Sequence, residues 1–145
     1  MRLFSQKAFL LGVVSTLACS DTSGPGAVAT QFVLNDINGR QLPTYLAPTP
    51  GLTPTIVSGT LVLDKAGHAE MTEHRIEWNG ADITTTRHYS YTITDQHIEL
   101  DLVDQCFIPE GCPLQGTISA DGLTLQMGQF DSQFILYNYR IAPGV

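Results

Sequence analysis

From Thr30 onward the chain consists of short runs of β-branched and aromatic residues, cut at close intervals by turn formers, with no helical period of useful length. Such a pattern folds as a sandwich or barrel, so an all-β domain is expected. The punctuation predicts strands over 30–36, 55–64, 67–78, 81–94, 97–103, 114–119, 123–128 and 133–141, about eight in all. Short turns at Lys65-Ala66-Gly67, Asn79-Gly80, Asp95-Gln96 and Ala120-Asp121-Gly122 make neighbours in sequence neighbours in the sheet, which predicts an up-and-down antiparallel meander.

Asn79-Gly80 is the strongest turn signal, because a two-residue type I′ turn needs positive φ at both central positions and this dipeptide tolerates it. With Trp78 opposite Ala81, the register pairs Ile76 with Ile83, His74 with Thr85, Thr72 with Arg87, Glu70 with Tyr89 and His68 with Tyr91. Side chains alternate along a strand, so Trp78, Ile76, Ile83, Tyr89, Tyr91 and Ile93 are expected inside, together with the polar His74, Glu70 and Arg87. Glu73, Arg75, Glu77, Asp82, Thr84, Thr86, His88 and Ser90 are expected to face water. The segment 37–54 holds Pro43, Pro48, Pro50 and Pro54 with no periodicity and reads as one long loop.

The start of the chain has a different character. Arg2 and Lys7 precede the apolar run Ala8 to Ala18, which has the length of an export signal and is too short to span a bilayer. Thr16-Leu17-Ala18-Cys19 resembles a lipobox, in which the cysteine receives a diacylglycerol and becomes the first mature residue. That resemblance implies a signal peptide over 1–18, a lipidated Cys19 with a flexible tether over 19–29, and a domain over 30–145. Ala27-Val28-Ala29 offers an ordinary signal-peptidase site as the alternative. Ser20 after the cysteine is unlike the aspartate that retains some lipoproteins at the inner membrane, so the outer membrane, facing the periplasm, is the expected location.

Cysteine usage agrees with export. If Cys19 carries lipid, Cys106 and Cys112 remain as a pair around Pro109 and Gly111, and an oxidising compartment favours a disulfide between them. A zinc site is the alternative reading, and it would need further ligands that do not follow Cys112. The chain has 7 Lys+Arg against 14 Asp+Glu; removing Arg2 and Lys7 leaves five against 14, a formal net charge of −9. Phosphate backbones would be repelled, which argues against nucleic acid as a partner.

A meander of this length with one long early loop resembles the lipocalin-like barrels. Gln31-Phe-Val-Leu-Asn-Asp-Ile-Asn-Gly-Arg-Gln-Leu-Pro43, followed by Val57-Ser-Gly-Thr-Leu-Val-Leu-Asp64, is similar to the opening of small bacterial lipocalin-like lipoproteins of largely uncharacterised function. The resemblance implies a lipocalin-like β-barrel. The Gly-x-Trp near the first strand that marks true lipocalins is missing, since the sole tryptophan is Trp78.

No metalloprotease, P-loop, nucleophile-elbow or zinc-ribbon pattern occurs, so no catalytic residues, cofactor or metal are expected. His68, Glu70 and His74 share a strand, but successive same-face positions lie ~7 Å apart and do not converge on one ion. Two functions stay open. Trp78, Arg87, Tyr89, Tyr91, Glu70 and His74 would line a pocket for a small apolar or amphipathic ligand; alternatively Glu70 and Arg87 form an internal ion pair in a filled barrel that serves as a structural or protein-interaction domain.

Overall fold

The computed structural model describes residues 29–46, 53–103, 113–130 and 132–143. Residues 1–28, and with them Cys19, lie outside that range, as do Cys106 and Cys112. Ten strands follow in order: β1 Thr30–Ile37, β2 Arg40–Gln41, β3 Thr44–Tyr45, β4 Thr55–Leu63, β5 His68–Ile76, β6 Asp82–Thr94, β7 His97–Leu102, β8 Leu114–Ile118, β9 Gly122–Phe130 and β10 Gln133–Ile141. Eight of them form the expected antiparallel meander. Because β1 pairs with both β10 and β4, the sheet closes into an eight-stranded barrel, with β2 and β3 as short additions. Closure removes the two edges that an open sheet of these strands would expose.

The interior follows from alternation. Phe32 and Leu34 on β1, Leu61 and Leu63 on β4, Ala69 and Met71 on β5, Ile98 and Leu100 on β7, and Leu123 and Leu125 on β9 are all buried. Each large aliphatic side chain buried this way is worth about 1.5–3 kcal/mol relative to exposure. Where two strand backbones come closest, side chains disappear: a Cβ on Gly116 would collide with the Thr124 carbonyl oxygen, and one on Gly122 with that of Tyr139.

The barrel has two unlike ends. At the base lie the turns Lys65–Gly67, Asp95–Gln96 and Ala120–Asp121, with both ends of the domain, where the Ala142 amide donates to the Gln31 carbonyl. At the opposite end, the mouth, are the turns between β1 and β2 and between β5 and β6, the end of β7, the start of β8 and the end of β9. Among the described residues the strands are shorter on one side of the mouth, since β6 has 13 residues while β7 and β8 have 6 and 5. Its first half, from Asp82 to Arg87, therefore extends past Leu102, the last β7 residue, which pairs with Tyr89.

Two expectations need correction. The segment 37–54 is not structureless where it is described: Ile37 pairs with Arg40 around a tight turn with Asn38 at φ 52° and Gly39 at φ 76°, and Thr44–Tyr45 pairs with β4. Positive φ at both central residues is the type I′ signature. The β5–β6 turn, by contrast, is one residue longer than expected. The Gly80 amide donates to the Glu77 carbonyl and the Glu77 amide to the Ala81 carbonyl, while only Gly80 takes positive φ, at 81°. Trp78-Asn79-Gly80 is thus a three-residue loop with its glycine in the left-handed region.

One residue changes every partner. Arg75 faces Ile83, Glu73 faces Thr85, Met71 faces Arg87, Glu70 faces His88 and Ala69 faces Tyr89. The inward face assigned to β6 stands, but that of β5 is reversed, because a slip of one residue exchanges the two faces of a strand. Glu73, Arg75 and Glu77 turn inward. His68, Glu70, His74 and Ile76 turn outward.

Candidate functional site

The six residues expected to share a pocket do not share one. Trp78 sits at the tip of the β5–β6 hairpin and is 74% exposed. Glu70 lies on the outer wall, 3.7 Å from His88 Nδ1, and His74, also outside, holds Asp82 with Nε2 2.6 Å from Oδ1. Tyr89, Tyr91 and Arg87 face inward as expected. Tyr89 is buried, and Tyr91 is half-buried toward the base, its hydroxyl donating to the Asp64 carbonyl. The expected Glu70–Arg87 pair does not form, since the two side chains stand on opposite faces of the sheet.

Beneath the mouth the interior instead carries a polar cluster that sequence reasoning placed on the wet face. Arg75 donates from Nε to Glu77 at 2.7 Å and from Nη1 to Glu73 at 3.3 Å, all three side chains being largely buried. Desolvation works against the Arg75 charge, but the hydrogen bonds and charges of Glu77 and Glu73 outweigh it and raise its pKa. The second oxygen of Glu73 accepts a 2.7 Å hydrogen bond from the Tyr137 hydroxyl on β10. Burial, reinforced by the negative charge of Glu73, drives Tyr137 and Tyr139 far above the ordinary tyrosine range.

Arg87 stands apart. It is exposed although it faces inward, and it reaches the Tyr89 hydroxyl, where its charge opposes the upward push that burial gives Tyr89. Among the described residues no carboxylate lies within ion-pair distance of it. A cation in the mouth beside a phenol can accept a carboxylate or phosphate from solution.

On the outer wall the alternation produces a different surface. Val62, Glu70, His88 and Val103 form one row across β4, β5, β6 and the end of β7, joined by strand register and by the Val103 amide to the His88 carbonyl. Below them Asp64 accepts hydrogen bonds from the Ala66 and His68 amides and from the His68 ring, which hold its carboxyl below the usual aspartate range. These residues line an open groove of about 440 Å³. Among the described residues no three histidine, cysteine or carboxylate side chains are grouped so as to hold a metal ion. Comparison of the chain with family models, with curated proteins and with solved structures finds no match.

Proposed function

We propose that this chain is an exported, lipid-anchored envelope protein whose barrel is a non-catalytic interaction module. The relationship that carries the reading is the opposition of its two ends. Thr30, at the start of β1, pairs with Leu63 at the base, whereas the exposed Trp78, Ile76 and Tyr45 lie at the mouth. Thr55 on β4 stands between Tyr45 on β3 and Ile76 on β5 in the register, so these two lie on the same outer face, one on either side of β4, just below the Trp78 turn. An anchor on Cys19, reached through the tether 19–29, would attach at the base and leave this apolar rim directed away from the membrane. Exposed aromatic and aliphatic side chains of this kind are what an interface buries at its centre.

In this reading the lipobox-like signal supports lipidation of Cys19, and Ser20 directly after it supports an outer-membrane location. A photo-reactive amino acid at position 78, and separately at position 66 in the base turn, tests it in whole cells. Adducts are expected from position 78 only; equal adducts from both positions, or none from 78, would overturn the proposal.

A second reading has its own observation in Arg87. The lower interior is filled by the protein's own side chains, so a small amphipathic ligand would enter only at the mouth, with its acidic group on Arg87 and Tyr89. Wild-type binding of a fluorescent fatty-acid analogue that is lost in Arg87→Met, with an unchanged melting point, distinguishes this reading from the first.

A further inference from the structure

We infer that the outer-wall groove between Val62 and Val103 is a docking site for a cationic segment of a partner protein, whose lysine or arginine stems lie on the two valines with their charges on Glu70 and Asp64. The inference is independent of the apolar rim, because the groove lies nearer the base of the outer wall and shares no residue with the rim. The row Val62–Glu70–His88–Val103 crosses four strands, roughly 14 Å at ordinary strand spacing, which is wide enough for an extended peptide. Val103 is 64% exposed, so the groove has an apolar side open to a partner.

Charge selects the occupant. On β4 to β7 the outward carboxylates are Glu70, Asp82, Glu99 and Asp101, with Asp64 at the β4–β5 turn, whereas both arginines of these strands, Arg75 and Arg87, face inward. The four strands thus put no lysine or arginine on their outer faces, and the exposed Lys65, which follows Asp64 in the turn, is the one such residue in the β4–β5 turn. A second copy of this chain would bring the same sign of charge, as would an anionic lipid surface or a nucleic acid. A basic, partly aliphatic polypeptide meets both the charge and the apolar side, since lysine and arginine bury their methylene stems while keeping the charged group at a carboxylate. Among the described residues His88 lies 3.7 Å from Oε2 of Glu70 and no partner holds its Oε1, so Glu70 is the principal acceptor; Asp64, whose Oδ1 accepts two backbone amides and whose Oδ2 meets the His68 ring, adds negative charge beside it.

The test uses the mature chain and two short acetylated peptides, one alternating lysine with valine and one alternating glutamate with valine, titrated at low salt by nuclear magnetic resonance. The lysine peptide is expected to bind saturably and to shift the amide signals of Val62, Glu70, His88 and Val103. Glu70→Lys should weaken it about tenfold or more, as loss of a desolvated charge partner does, while Asp121→Lys at the base should not. Val103→Ser, which leaves the charges intact, should also weaken it. Failure of the lysine peptide to bind, equal binding of the glutamate peptide, shifts centred elsewhere, or affinity indifferent to Glu70→Lys in a folded variant would each overturn the inference.

Discussion

Tyr137 on β10 reaches across the barrel interior and places its hydroxyl 2.7 Å from a carboxylate oxygen of Glu73 on β5. The two residues are not strand neighbours, so this bond ties opposite walls of the sheet together below the mouth. Glu73 also serves Arg75, and removing the hydroxyl leaves one carboxylate oxygen buried with a partner missing. Tyr137→Phe should therefore cost about 1–3 kcal/mol in urea unfolding. Wild-type stability in that variant would show that the bond is not made.

The same burial predicts the alkaline limit of the fold. Tyr89, Tyr137 and Tyr139 all have raised pKa values, chiefly because burial disfavours the phenolate. A raised acid pKa means that the folded state keeps its proton while the unfolded chain loses it, so stability is complete below about pH 10 and falls as pH rises above it. An ultraviolet titration should show these tyrosines ionising together with loss of structure. Their ionisation in a chain that stays folded would contradict the burial assigned to them.

At the acid end the informative group is Asp36. Partial burial pushes its carboxyl up, but hydrogen bonds from Asn138 at 2.6 Å, from Asn35 and from the Gly39 amide outweigh that and lower its pKa. Its contribution is present above the unfolded aspartate value and is lost as pH falls through the lower folded value. Asp36→Asn should flatten the decline of stability with pH below about pH 4, measured by denaturant melts at successive pH values. An identical slope in wild type and variant would exclude that role.

The two Asn-Gly dipeptides explain why the fold was legible and part of the site was not. Strand existence and order came directly from alternating runs and breakers, and the observed bounds of β1, β4, β6, β7 and β10 lie within a residue or two of those expected. Hairpin register is a finer matter. Asn38-Gly39 makes the type I′ turn, whereas Asn79-Gly80 belongs to a three-residue loop in which only the glycine has positive φ. Nothing in the dipeptide itself distinguishes the two. The neighbouring hairpin did carry a hint: Ala69 and Met71 alternate after Lys65-Ala66-Gly67, and following their period along β5 leads to Glu73 and Arg75 inside. The greater hydrophobicity of Ile76 and Trp78 pointed the other way, and those two residues are the exposed ones.

The longer loop makes its own mutational prediction. Gly80 has φ 81°, a conformation that costs a side-chain-bearing residue about 1–2 kcal/mol, so Gly80→Ala should lower stability by that amount. Asn79 has negative φ, and its side chain accepts a hydrogen bond from the Ala81 amide at 3.0 Å. Asn79→Ala should cost less than Gly80→Ala in thermal melts. A type I′ turn would need both residues left-handed and would penalise both substitutions alike.

Every assignment of a β5 side chain to the interior or to the outer wall depends on the pairing of β5 with β6, and cross-strand nuclear Overhauser contacts measure that pairing directly. The structure predicts backbone contacts between Arg75 and Ile83, Glu73 and Thr85, Met71 and Arg87, and Ala69 and Tyr89. Contacts between Ile76 and Ile83 and between Glu70 and Tyr89 as direct partners would contradict it, turning Glu73 and Arg75 out to solvent and removing both the interior cluster and the outer groove.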